Sequence, residues 1–142
     1  MKSLTTKLLS TAKLIKDMQT IVDDGRCHSV CLDLEPDLGA DMGPSALELC
    51  VMSYAGCLAT IFALTAKKMR VSLKDLEVKV EAIKSEKEGT ITEASIDVKI
   101  KIDAPEDRIQ RILNLTLKNC PVGKIFEKAG IKLNYRIENV KA

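Results

Sequence analysis

From Leu49 to Ala66 the chain runs for 18 residues without a charge. No other feature constrains the fold as much, because a helix apolar on every side has to be hidden along its whole length. The run lies near the lower length limit for a membrane span. It also holds Ser53, Tyr54, Gly56, Thr60 and Thr65, and Glu48 abuts its start. The flanking sequence has the amphipathic pattern of soluble structure, so the segment is expected to be a buried central helix and not a membrane span. It should start near Pro44 and Ser45 and end at about Met69. Lys67, Lys68 and Arg70 then fall in its last turn, where positive charge suits the helix dipole.

Beyond this helix the apolar period changes to two. "LEVKVEAI" sets Leu76, Val78, Val80 and Ala82 on one face, and "ASIDVKIKID" does the same with Ile96, Val98, Ile100 and Ile102. The polar "KSEKEGT" between them suits a hairpin turn. Asp103 and Pro105 mark the N-cap and first turn of a helix over "EDRIQRILNLTLKN", whose Ile109, Ile112, Leu113 and Leu117 form one stripe. A short helix in "PVGKIFEKAG" closes at Gly130, and "KLNYRIENV" returns to alternation as a last strand. Upstream, "AKLIKDMQTIV" fits strand or helix. "CHSVCLDLEP" reads as a strand with Val30, Leu32 and Leu34 on one face, ended by Pro36, and "DLGADMGPS" reads as a loop. No repeat or linker divides the 142 residues, so one α+β domain over residues 1–142 is expected.

Twenty-two basic and 20 acidic residues are interspersed, and aromatics number two Phe and two Tyr. Neither a basic face nor a stacking platform for nucleic acid results. The N-terminus has scattered lysines and no apolar signal core, so a cytoplasmic protein with reduced thiols is expected. Any disulfide among its five cysteines would then be catalytic or transient. Cys120 precedes Pro121 and so stands at a helix N-cap, with Lys118 and Lys124 nearby, a setting that favours thiolate. Cys57 is mid-helix among apolar neighbours, where a cysteine is usually core, and it becomes reactive only if a positive group reaches it. Cys50 and Ser53 share its helix face, whereas Glu48 lies opposite, and Cys50 reads as core. In a strand, Cys27 and Cys31 share a face and His28 points away, which is wrong for a compact zinc site. No metal or other cofactor is expected. A zinc module built on these three residues is an alternative that a metal assay decides.

The two cysteine settings also carry a resemblance. "GPSALELCVMSYAGC" resembles the Gly-Pro-Ser-x-x-Glu-Leu run ending in a small residue and cysteine of the OsmC/Ohr family, the osmotically inducible protein C and organic hydroperoxide resistance group. "CPVGKIF" resembles that family's Cys-Pro-Val/Ile segment, and "GRCHSVCLDLEPDLGADMGPS" its strand and loop before the long helix. The match runs from about residue 25 to the C-terminus. It implies an OsmC-like fold, with sheets wrapped around a buried central helix in an intertwined homodimer. It also implies a peroxidase for organic hydroperoxides, in which Cys57 attacks the O–O bond and Cys120 resolves the sulfenic acid as a disulfide. The reductant would be a lipoyl protein, a thioredoxin-like protein or a small thiol. In the family an arginine and a glutamate orient the thiolate, and Arg26 and Glu48 are the candidates here. Glu48 follows the broader OsmC-like pattern, since Ser45 stands where the hydroperoxide branch has its acid. Arg26 is closer to Cys57 than that branch's arginine, whose spacing falls on Ile15 and Lys16. The alternative is a non-catalytic protein of the same fold that binds a ligand or senses thiol oxidation.

Overall fold

The computed structural model describes residues 4–140. They form two compact units that divide between Cys50 and Val51.

The N-terminal unit is an antiparallel sheet of β1 (Thr11–Lys16), β2 (Gln19–Asp23) and β3 (Ser29–Leu32), in that order. The ambiguous "AKLIKDMQTIV" is thus a hairpin. Asp17 makes its turn at φ 52, a left-handed conformation that Asp tolerates better than most residues. Strand β3 stops at Leu32, so Leu34 does not extend its face. The cause is Asp33, whose carboxylate accepts the backbone N–H groups of Leu34 (2.7 Å), Met42 (3.1 Å) and Ala40 (3.3 Å). One acid, 2% exposed, gathers the glycine-bearing loop around itself. At Gly43 the loop passes so close to β3 that an added Cβ would lie 2.0 Å from the Cys31 carbonyl oxygen. Cys27 lies outside the strand at φ 68, so it does not share a strand face with Cys31.

Helix α1 (Ala46–Lys68) starts on a reciprocal cap. The Ser45 N–H donates to Glu48 Oε1 and the Glu48 N–H to Ser45 Oγ, each at 3.1 Å. At its other end the Val71 N–H reaches back to Ala66 O and the Arg70 N–H to Lys67 O, with Arg70 at φ 56. This is a Schellman closure, so Arg70 lies past the helix and not in its last turn.

The C-terminal unit contains β4 (Leu73–Ser85), β5 (Thr90–Ile102), α2 (Glu106–Asn119), α3 (Pro121–Lys128) and β6 (Lys132–Asn139). The β4–β5 hairpin forms as its alternation requires, and β6 pairs parallel to β5. Parallel pairing needs a crossover, and α2 with α3 supplies it. Inward-facing Ile96, Val98, Ile100 and Ile102 of β5 are buried. On the opposite face, cross-strand rows alternate in sign, Lys79–Asp97–Arg136 and Glu77–Lys99–Glu138. Arg136 Nε lies 2.8 Å from Asp97 Oδ1.

Tyr54, Leu58, Phe62 and Ala66 of α1, four residues apart, join this core, as do Ile109, Ile112, Leu113 and Thr116 of α2. Thr116 takes the fully buried place expected of Leu117 and satisfies its hydroxyl on Ile112 O at 2.7 Å. Helix α2 begins one residue after Pro105, which is its N-cap with ψ 150 and no side-chain cap bond. Proline bars its predecessor from helical geometry, so Asp103 stands too early to cap. By length and composition α1 could span a bilayer; within the single chain one stripe of it is buried, while Met52 is 55% and Leu64 47% exposed.

Candidate functional site

Pro121 opens α3 with the φ it fixes, and Cys120 before it is the N-cap at φ −74, ψ 109. Cys120 Sγ accepts the Gly123 N–H at 3.3 Å. Its own thiol donates to Cys57 Sγ at 3.1 Å. Two cysteines 63 residues apart thus lie about 1 Å from the ~2.05 Å of a disulfide. They differ in access, since Cys57 is half-buried and Cys120 fully buried. Burial pushes the Cys120 thiol up to about 11, and its bond to Cys57 adds to this. The Gly123 N–H pulls the other way, as expected at a helix N-terminus, but burial outweighs it. Lys118 and Lys124 are exposed to water. The thiolate-favouring setting expected for Cys120 is therefore overridden by its depth.

Three aromatic side chains cluster near the Cys120 turn. Tyr54, three residues before Cys57 on α1, is fully buried, with its ring centroid 4.4 Å from that of Phe126. Its hydroxyl lies 3.1 Å from that of Tyr135 on β6. Burial raises both tyrosines above their ordinary range. A Cβ on Gly123 would sit 3.4 Å from both Cys120 Sγ and Tyr54 Cε1, so this turn packs at van der Waals distance from the ring. Sequence reasoning missed Tyr54, Gly123, Phe126 and Tyr135. The i, i+3 relation of Tyr54 to Cys57 was the available signal for the first; nothing local points to Tyr135.

Arg26 and Glu48 belong to the N-terminal unit. The Arg26 side chain is 78% exposed, with Nε 3.8 Å from Asp24 Oδ2. Asp24 also accepts the Arg26 N–H at 2.8 Å and bonds His28 Nδ1 at 2.7 Å, contacts that hold its carboxyl below the ordinary value. Glu48 is held low by the Ser45 N–H and then the Ser45 side chain. The structure therefore brings Cys57 and Cys120 together and engages Arg26 with Asp24 and Glu48 with Ser45. Cys27 and Cys50 are exposed and Cys31 is half-buried, so Cys50 is not a core residue of this chain. Among the described residues, no three His, Cys, Asp or Glu side chains gather as metal ligands do.

A half-buried thiol held against a buried one at a helix N-cap, on a mixed frame of two small sheets and three helices, defines a paired-cysteine α+β protein. The chain belongs to the OsmC-like protein family, whose sequence model matches residues 39–136, more than half of its length. Solved structures agree on the fold. The OsmC-like protein of Mycoplasma pneumoniae superposes with a TM-score of 0.86 at 19% identity, over 96% of this chain and 99% of the other. The organic hydroperoxide resistance protein of Elizabethkingia anophelis gives 0.73 at 19%, over 99% and 100%. The organic hydroperoxide resistance protein OhrB of Bacillus subtilis gives 0.64 at 19%, over 94% and 98%. Comparison with curated proteins found no match.

Proposed function

We propose that this protein is a thiol-dependent peroxidase for organic hydroperoxides, with Cys57 as the attacking thiol and Cys120 as the resolving one. The observation that carries the reading is the 3.1 Å approach of an accessible sulfur to a buried one. The Cys57 thiolate attacks the distal peroxide oxygen; the O–O bond breaks, and the alcohol leaves after taking a proton. The Cys57 sulfenic acid then condenses with the Cys120 thiol, its oxygen departing as water with the Cys120 proton. An external thiol, from a lipoyl protein, a thioredoxin-like protein or a small molecule, reduces the disulfide. The S–H of Cys120, already aimed at Cys57 Sγ, stabilises charge on that sulfur as it attacks.

Apolar hydroperoxides are proposed over hydrogen peroxide because α1 carries no charge around Cys57, from Leu49 to Ala66. Hydroperoxide resistance in the names of two structural relatives supports the same substrate class. Arg26 and Glu48 are proposed to orient the Cys57 thiolate; Glu48, on the face of α1 opposite its own Cys57, is proposed to act toward a second subunit or through an arginine. The working form is proposed to be a cytoplasmic homodimer, because Leu14, Ile15 and Met18 of the N-terminal hairpin and Met52 and Leu64 of α1 lie exposed in the single chain. A redox sensor with the same thiol pair is the second reading, favoured by the prior engagement of Arg26 and Glu48.

Cys120→Ser separates the steps. It should be oxidised once by peroxide, to a trappable sulfenic acid, and form no intramolecular disulfide. An internal thiol outcompetes a millimolar external one, so turnover should fall by about 100-fold. Unchanged turnover removes Cys120 from the mechanism. Wild-type protein that forms the disulfide but does not turn over is a sensor.

A further inference from the structure

The chain has two tyrosines, 81 residues apart, and their hydroxyls meet at 3.1 Å. Tyr54 is the one polar member of the α1 stripe whose other residues are Leu58, Phe62 and Ala66. A phenylalanine would fill the same volume without needing a buried partner for a hydroxyl. The ring of Tyr54 lies against Phe126 and comes within reach of the Gly123 turn that donates to Cys120 Sγ. Its hydroxyl is pinned to Tyr135 on β6. One side chain therefore connects the helix that carries Cys57, the helix start that carries Cys120, and a sheet strand.

We propose that the Tyr54–Tyr135 hydroxyl pair is a positioning device that sets the Cys57–Cys120 sulfur separation and with it the poise of the thiol–disulfide couple. It rests on the thiol pairing of the proposed function but not on peroxide turnover. Closing the disulfide brings the sulfurs from 3.1 Å to about 2.05 Å. The Tyr54 ring packs at van der Waals distance behind the first turn of α3, where a Cβ on Gly123 would stand 3.4 Å from both Tyr54 Cε1 and Cys120 Sγ. A ring held by its hydroxyl backs this turn and keeps Cys120 Sγ close to Cys57 Sγ; an unpinned ring leaves the reduced sulfurs a wider range of separations. Loss of the hydroxyl bond should therefore favour the dithiol.

The test uses full-length protein in a glutathione redox buffer. There, two protein thiols and one glutathione disulfide give the Cys57–Cys120 disulfide and two glutathione thiols. Alkylation and peptide mass spectrometry read the oxidised fraction for wild type, Tyr54→Phe, Tyr135→Phe and the double variant. Each single change should lower the oxidation equilibrium constant by about tenfold, the scale of one buried hydrogen bond, which is about 30 mV for a two-electron couple. The double variant should match the singles, because either change removes the same bond. Tyr135→Phe, at the half-buried end, keeps the test open if Tyr54→Phe fails to fold. Single variants within about twofold of wild type, or a double whose loss is the product of the two, overturn the device. A wild type that titrates reversibly but does not reduce peroxides refutes the peroxidase alone. A wild type that forms no such disulfide overturns the pairing and the device together.

Discussion

The described residues build two three-stranded sheets that differ in how far they are buried. In the C-terminal unit, β4 and β5 are 13 residues long; one face of β5 is buried, the same face of β4 is half-buried, and the other face carries paired charges to water. In the N-terminal unit the strands are four to six residues long, and β1 is exposed at every position. Leu14 at 65% and Ile15 at 58% exposure show that the lack of cover is not matched by polar composition. One sheet has a buried face on its central strand, β5. The other leaves apolar side chains exposed, the surface that the proposed second copy would cover.

The largest expected effect separates the two regions by stability. Phe62→Ala in the C-terminal core should lower the unfolding free energy by about 3–5 kcal/mol. Leu14→Ala should change it by less than about 0.5 kcal/mol in dilute monomer, and should instead weaken the concentration dependence of unfolding if a second copy covers β1. Urea titrations at two protein concentrations read both. Equal losses for the two variants would contradict the contrast.

The two units should also respond to opposite ends of the pH scale. Asp33 and Glu48 are held below their ordinary values, Asp33 first by the Leu34 N–H and Glu48 first by the Ser45 N–H. The stability they confer is present above about 4, the unfolded carboxylate range, and is lost as the pH falls. Cys120, raised by burial, works in reverse. Its contribution is whole below the unfolded thiol value of about 8.5 and is lost as the pH rises toward about 11. Hydrogen exchange resolved by segment should show the Asp33 loop loosening in acid and α3 loosening in alkali. Asp33→Asn should blunt the first response and Cys120→Ser the second. Loss of both units at the same end of the scale would contradict this assignment.

The smallest effect concerns how helices end. Both α1 and α3 close on a left-handed residue, Arg70 at φ 56 and Gly130 at φ 77. Only glycine adopts that conformation without strain, so Arg70→Gly should stabilise by up to about 1 kcal/mol and Gly130→Ala destabilise by a similar amount. Thermal unfolding of the two variants measures the pair, and shifts in the same direction would contradict it.

What the sequence made legible follows from what periodicity can carry. The α1 span, the β4–β5 hairpin and the stripe of α2 rest on runs of 13 residues or more, long enough for the period to be unambiguous. The N-terminal hairpin was ambiguous because its turn uses Asp17 and not glycine, over strands of six and five residues. The reciprocal Ser45–Glu48 cap could be read from Ser-x-x-Glu alone. Period reports which residues face inward but not which strand or helix they meet there. The parallel register of β6 and the Tyr54–Tyr135 contact therefore lay beyond it. The N-cap place of Cys120 was legible from Pro121, yet its depth was not, since a cap motif does not say what packs over it. That Cys57 would meet Cys120 came only through the family resemblance.

Treatment of the reduced protein with stoichiometric cumene hydroperoxide, followed by peptide mass spectrometry, tests the thiol pairing most directly. The expected product is a rapid and exclusive Cys57–Cys120 disulfide, with Cys27, Cys31 and Cys50 still reduced. Both thiols intact after exposure, or a disulfide joining other cysteines, would contradict the pairing and the chemistry proposed for it.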